Sequence, residues 1–280
     1  MAVRDDYDEG SVDYCLSRLV ELFTVLGQFR EHIAVVGGWV PFLLFNNPQN
    51  PHCGSLDIDI ALDAQAITPD TYDTLLKLLH KNGYEQGEQP YVFVKPAATR
   101  AGISYSVEVD FLAGEYGGTP TGHRHQAVQD IKARKARGAD LVFQDAVVKT
   151  LTAELPGGGI NEVLVKIAGA VPFIVMKGMA LWTRNKAKDA YDIFYVVDNF
   201  PGGITALVKT FEPFKNHGLV TEGLGKIRAK FQSPDFVGPV WVADFQVIQD
   251  PEEAERVRRD AYEKVSTFID KLGIEKYKGP

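Results

Sequence analysis

Apolar residues recur along this chain at two spacings, and each predicts a different element. Residues 12–29 carry Leu16, Leu19, Val20, Phe23 and Leu26 on one side of a helix. Ile33 to Val36 is a short apolar strand, broken by Gly37-Gly38. Residues 39–45 then read as a helix with Pro41 in its first turn, where a missing N–H costs little. Residues 56–62 (LDIDIAL) alternate with period two, as do residues 103–112 (ISYSVEVDFL). Residues 71–81 predict a helix closed by Asn82-Gly83, and 91–95 a further strand. Two more strands are expected at 141–148 and 163–168, on either side of a Pro-Gly-Gly-Gly turn at 156–159. A helix over 177–192 opens a mostly helical remainder, which ends in a helix at 251–272. These elements predict an α+β protein. A mixed sheet flanked by helices occupies residues 1–170, and a helical domain over 171–280 forms the other wall of a cleft.

The alternation places chemistry as well as structure. Asp57 and Asp59 point to one face of their strand while Leu56, Ile58 and Ile60 point to the other. Two neighbouring carboxylates repel unless a cation lies between them, and oxygen-only ligands favour magnesium. Free backbone N–H groups after Gly37-Gly38 suit a phosphate. Downstream, Glu108 and Asp110 share the polar face of 103–112. Asp110 completes a triad if its strand lies beside that of Asp57 and Asp59, and Glu108 is the competing candidate.

The order Gly37-Gly38, Asp57-Ile58-Asp59, Asp110 resembles that of the nucleotidyltransferase superfamily with a DNA polymerase β-type palm. Within it, the GGW and the His-x-Gly-Ser-x-Asp-Ile-Asp stretch resemble the AbiEii-type toxin nucleotidyltransferases. Residues 176–197 (MKGMALWTRNKAKDAYDIFYVV) are similar to that group's K-x-x-A-x-x-x-R-x-x-x-K-D-x-x-D pattern, matched by Lys177, Ala180, Arg184, Lys188, Asp189 and Asp192. On one continuous helix the three basic residues fall within about 40° of each other. Small antibiotic nucleotidyltransferases also carry a GGW and a His before their DID.

The resemblance covers roughly residues 30–200. It implies transfer of a nucleoside monophosphate from an NTP to an acceptor. Asp57, Asp59 and Asp110 would hold two Mg²⁺ (Mn²⁺ being an alternative). Gly37, Gly38 and Ser55 would bind β/γ phosphates. Lys177 and Arg184 would offset charge on the leaving pyrophosphate, and Lys188, Asp189 and Asp192 would complete the NTP-binding set. The implied acceptor is RNA (tRNA) or protein, with a cognate antitoxin as partner. A small-molecule acceptor, or an inactive NTP-binding module, is the competing reading. Trp39 replaces the small residue usual after the glycines, and an NNPQNP insert at 46–51 precedes the Asp pair.

Composition narrows the function classes. The chain has 280 residues, 45% hydrophobic and 24% charged, as in ordinary globular proteins. A net charge of −7 disfavours a nucleic-acid-coating surface but leaves room for a local basic patch. The densest basic run, KARKAR at 132–137, reads as the solvated face of a helix or as a grip on one RNA end. Two cysteines, Cys15 and Cys53, make no disulfide framework, and the His52-Cys53 and His123–His125 spacings are weak zinc signals. No apolar run approaches membrane-spanning length, and no signal peptide is read at the start, so a cytoplasmic protein without membrane partners is expected.

Overall fold

The structure, a computed structural model, describes residues 2–67, 73–100, 103–115 and 124–279, without the side chains of 96–100 and 103–105. Strand β1 (Ile33–Val36) is buried at every position, as its unbroken apolar run requires of a strand covered on both faces. It pairs antiparallel with β2 (Ile58–Leu62) and parallel with β9 (Ile160–Ala168). On its far side β2 pairs parallel with β5 (Ile103–Ala113). The other edge of β5 takes β4 (Val92–Arg100) antiparallel as far as Asp110, and then β7 (Ile131–Lys135) in parallel from Leu112. β3 (Glu85–Gln86) borders β4, β6 (His125–Val128) borders β7, and β8 (Ala146–Glu154) borders β9. Among the described residues the result is one nine-stranded mixed sheet.

Helix α1 (Glu9–Val25) packs on this sheet against β5, β8 and β9, burying Leu19, Val20, Leu22 and Phe23. Asp8 caps it by accepting from the Ser11 N–H. Two short helices, α2 (Trp39–Leu44) and α3 (Leu75–Lys81), are held between strands in the sequence. The sheet with its flanking helices and the helical C-terminal part make the protein α+β.

Two compact units divide the chain. One comprises residues 8–40 and 54–169 and holds the sheet; the other comprises 1–7, 41–53 and 170–280. The second contains α4 (Ala170–Thr183), α5 (Ala187–Asn199), α6 (Gly203–Phe211), α7 (Gly218–Lys230), α8 (Val237–Phe245) and α9 (Pro251–Lys271). The division after Gly169 lies next to the one expected from sequence, but segments 1–7 and 41–53 group with the helices. The reason is local to that unit: the Arg4 side chain bonds the Pro51 carbonyl at 2.9 Å, and the Tyr195 hydroxyl bonds the backbone at Asn47 and Asn50. No helix among the described residues is long and apolar enough to cross a membrane.

Several elements differ from the expected ones. The helix expected over 177–192 is divided between two helices, with 184–186 between them and an extended Lys186 at the break. The basic run at 132–137 lies on a strand rather than a helix: Ile131 and Ala133 are buried while Lys132 is exposed, a period of two. The strand expected at 141–148 begins only at Ala146, after a single 3₁₀ turn at Ala139–Leu141. The 71–81 helix starts at Leu75, with Thr74 capping the Lys77 N–H, and residues 71–72 lie outside the described residues. So does most of the glycine-rich loop at 114–122.

Close helix packing in the second unit depends on glycine. A Cβ on Gly178 of α4 would strike the Gly223 carbonyl of α7, a backbone group with no freedom to move aside. Gly178→Ala should therefore destabilise the protein by about 2 kcal/mol, although alanine favours a helix interior by about 1 kcal/mol over glycine. Gly157→Ala, with open space around it, should change stability by less than about 0.5 kcal/mol in the same urea titration.

Candidate functional site

In the sheet unit, the parallel register of β2 and β5 sets Asp59 directly opposite Asp110. Opposed residues in a ladder project to the same face, so the two carboxylates stand side by side. Both are half-buried, and Asp57, at the start of the strand, is exposed. It is Asp110, and not Glu108, that the register pairs with Asp59. Glu108 is exposed, two residues back on the same strand.

The Gly-Gly turn is shaped around these carboxylates. Gly37 has φ +68°, and a Cβ there would collide with the Asp59 carboxylate. Glycine is required twice over, by conformation and by close approach. Trp39, fully buried, donates its indole N–H to the Asp57 carbonyl at 3.0 Å. The tryptophan thus ties the turn to the Asp57–Asp59 segment, which gives the GGW a structural reason. Ser55, also buried, donates its hydroxyl to Asp57 Oδ1 at 2.5 Å. Among the described residues no three His, Cys, Asp or Glu side chains converge into a ready-made metal cage. The donors fit a hard cation in type, being oxygen-only and on one face.

Beside Asp110 stands a residue that the sequence marked only as part of the basic run at 132–137. Arg134 of β7 lies opposite Leu112, and so on the carboxylate face, with Nη2 3.7 Å from Asp110 Oδ2. Its guanidinium sits 5.6 Å from the Tyr91 ring centre, and the Tyr91 ring lies 5.4 Å from that of His125. The available signal was the alternation in Ile131–Lys135, which reads as a strand once the run is not assumed helical.

The second unit holds the Lys177–Asp192 residues in a closed cluster. Lys177 Nζ lies 2.8 Å from Asp189 Oδ1 and 2.7 Å from Asp192 Oδ2. Lys188 Nζ is 3.0 Å from Asp192 Oδ1, and Arg184 grips Asp189 through Nε and Nη2 at 2.8 and 2.9 Å. His52 Nε2 meets Asp192 Oδ1 at 3.0 Å, with its ring against Tyr191 and Tyr195. Burial alone would lower the Lys177 pKa, but Asp189 and Asp192 outweigh it and hold the amine above the ordinary lysine range. Burial likewise opposes ionisation of Asp192, yet Lys177 and Lys188 keep it well below the usual carboxylate range. Asp189 is lowered in the same way by Lys177 and Arg184. Only Arg184, with 41% of its side chain exposed, presents much surface to solvent. His52 entered the sequence reading as a weak zinc ligand; its bond to Asp192, 140 positions away, had no local signal.

No protein-family model and no curated protein matches this sequence.

Two outcomes test this geometry. Gly37→Ala should cost about 3 kcal/mol in the wild-type background, and about 1 kcal/mol in an Asp59→Ala background, where only the φ strain remains. Equal costs in the two denaturation series would mean that Asp59 does not occupy the space beside Gly37.

The second outcome concerns pH. Burial, helped by Lys188 and Lys177, pushes the His52 pKa from 6.5 down to about 4, against the opposing pull of Asp192. A depressed histidine stabilises the fold above the unfolded pKa and loses that contribution as pH falls toward the folded one. About 3 kcal/mol should therefore disappear between pH 6.5 and pH 4. The lowered Asp189 and Asp192 stabilise above the unfolded carboxylate pKa, so their loss comes at lower pH still. His52→Gln should flatten the pH 4–6.5 slope of the unfolding free energy, and an unchanged slope would refute the buried neutral histidine.

Proposed function

We propose that this protein is a Mg²⁺-dependent nucleotidyltransferase that moves a nucleoside monophosphate from an NTP to an acceptor and releases pyrophosphate. The observation that carries the reading is the β2–β5 register, which stands Asp59 beside Asp110, with Asp57 in the bend just before the same strand. A polar outer face would not need a glycine turn fitted against one of its carboxylates, as Gly37 is against Asp59.

Asp57, Asp59 and Asp110 are the residues that would hold the metal. Magnesium, when bound, supplies charge stabilisation at the attacking and leaving oxygens of an in-line displacement. Asp110 is the carboxylate that takes the proton as the acceptor hydroxyl attacks the α-phosphorus. A new P–O bond forms to the acceptor, and the bond to pyrophosphate breaks. The amides of Gly37 and Gly38 bind the β/γ phosphates, and the Ser55 hydroxyl, which donates to Asp57 in this structure, would join them by turning its one O–H from that carboxylate to a phosphate oxygen. In the helical unit, Lys177 holds Asp189 and Asp192 in place, and Arg184 is the member of the basic group with surface to meet a phosphate. The acceptor we favour is RNA, tRNA first, or else a protein. The wider role is that of an AbiEii-type toxin acting in the cytoplasm and restrained by a cognate antitoxin.

An α-³²P-labelled NTP incubated with the protein and total RNA tests the chemistry. Asp57→Ala and Asp59→Ala should each abolish label transfer, a loss of about a thousandfold or more, while thermal unfolding stays cooperative. Asp110→Asn should abolish transfer with NTP binding retained, and Glu108→Gln should cost less than about threefold. Transfer in excess chelator, or reversal of the Asp110 and Glu108 phenotypes, would overturn the assignment.

A further inference from the structure

We propose that the ribbon of β6 and β7 is the acceptor-binding surface, and that it is built for a single-stranded nucleic acid end. The proposal rests on the nucleotidyltransferase reading for the word acceptor, and on the structure for the surface. Register fixes which side chains face the carboxylates. Asp59 opposes Asp110, Leu112 opposes Arg134, Arg134 opposes His125, and Lys132 opposes Ala127. Because opposed residues share a face and alternate residues return to it, Asp59, Asp110, Lys132, Arg134 and His125 all project from the same side of the sheet. A basic ribbon therefore continues directly from the strand that carries Asp110, the acceptor-side carboxylate.

Its chemistry suits a phosphodiester chain with bases. The chain as a whole is acidic, at −7, yet β7 brings Lys132 and Arg134 to this face with no acidic residue between them. Lys132 is exposed. The Arg134 Nε–H is buried and has no hydrogen-bond acceptor among the described residues. At 3.7 Å its contact with Asp110 is an ion pair rather than a hydrogen bond. That leaves guanidinium donors for a phosphate, which they would meet in a bidentate, charge-assisted way. Tyr91 and His125 add aromatic rings beside the guanidinium, and bases of a single strand stack on such rings without needing a particular sequence. A protein hydroxyl as acceptor would make no use of this combination of cations and rings.

The test is fluorescence anisotropy of a labelled single-stranded RNA 12-mer with a free 3′-hydroxyl, in Mg²⁺ without NTP, over a salt series. Wild type should bind, with affinity falling as salt rises. Lys132→Ala combined with Arg134→Gln should weaken binding at least about tenfold and flatten the log–log salt slope by about 1.4, roughly 0.7 for each phosphate no longer neutralised. Tyr91→Leu should weaken binding about tenfold with the salt slope unchanged, since stacking releases no counterions. Lys209→Ala, on the exposed side of α6, should change neither. RNA affinity and slope unaltered in the double variant would overturn the proposal, as would label transfer to protein by an enzyme that does not bind the RNA. The two readings fail separately. Arg134-dependent RNA binding without label transfer would keep the surface and remove the chemistry, whereas undiminished transfer to RNA by the double variant would keep the chemistry and remove the surface.

Discussion

Two carboxylates on neighbouring strands, Asp59 and Asp110, impose the constraint to which the sheet unit is fitted. Strands in a ladder lie about 4.8 Å apart. At that separation two anions near a protein surface repel by about 3 kcal/mol, a sizeable part of a domain's net stability. Several features answer that cost. The pair is only half-buried, so water screens it. Arg134 approaches Asp110, and Ser55 donates to the nearby Asp57. Gly37 leaves the Asp59 carboxylate its space. A metal cation between the carboxylates would relieve the same repulsion.

The helical unit solves the opposite problem. Its charges are buried, so each must find partners inside the protein, because an unpaired buried charge costs several kcal/mol. Lys177 on α4 reaches both Asp189 and Asp192 on α5, Lys188 and His52 share Asp192, and Arg184 clasps Asp189. Such an arrangement can form only if the chain breaks between Thr183 and Ala187 and α5 is set against α4. One uninterrupted helix would carry Lys177 and Asp189 more than three turns apart. The buried ion pairs and the helix break are thus one feature seen at two levels. Segment 41–53 joins this unit and brings His52 to Asp192.

The outward-facing carboxylates and the closed ion-pair cluster respond differently to their surroundings. Asp59 and Asp110 are half-buried on the polar face of the sheet. Lys177 and Asp192 hold each other with almost no exposed surface, and each keeps its charge there, the amine held above and the carboxyl below its ordinary range. Perturbed pKa values accompany functional sites and structural ion-pair networks alike. Arg184, tied to Asp189 but 41% exposed, lies between these extremes.

By itself the sequence determined what depends on neighbours along the chain. An unbroken apolar run showed β1, alternation showed β2 and β5 and put Asp57, Asp59, Glu108 and Asp110 on polar faces, and a last helix was expected over 251–272, where α9 lies. Gly37-Gly38 was visible as a break after a strand, though not that Gly37 makes space for Asp59. Tertiary structure decided what depends on distant partners. The choice of Asp110 over Glu108 came from inter-strand register, which no local pattern encodes. Lys132 and Arg134 look alike on a helix face and on a strand until β5 and β6 pair with them. A run of good helix formers over 176–197 could not disclose its break, because the gain that opposes continuity lies in contacts between α4, α5 and His52. Periodicity reports which way a side chain points; pairing and burial free energies, summed over residues far apart in sequence, decide what it meets there.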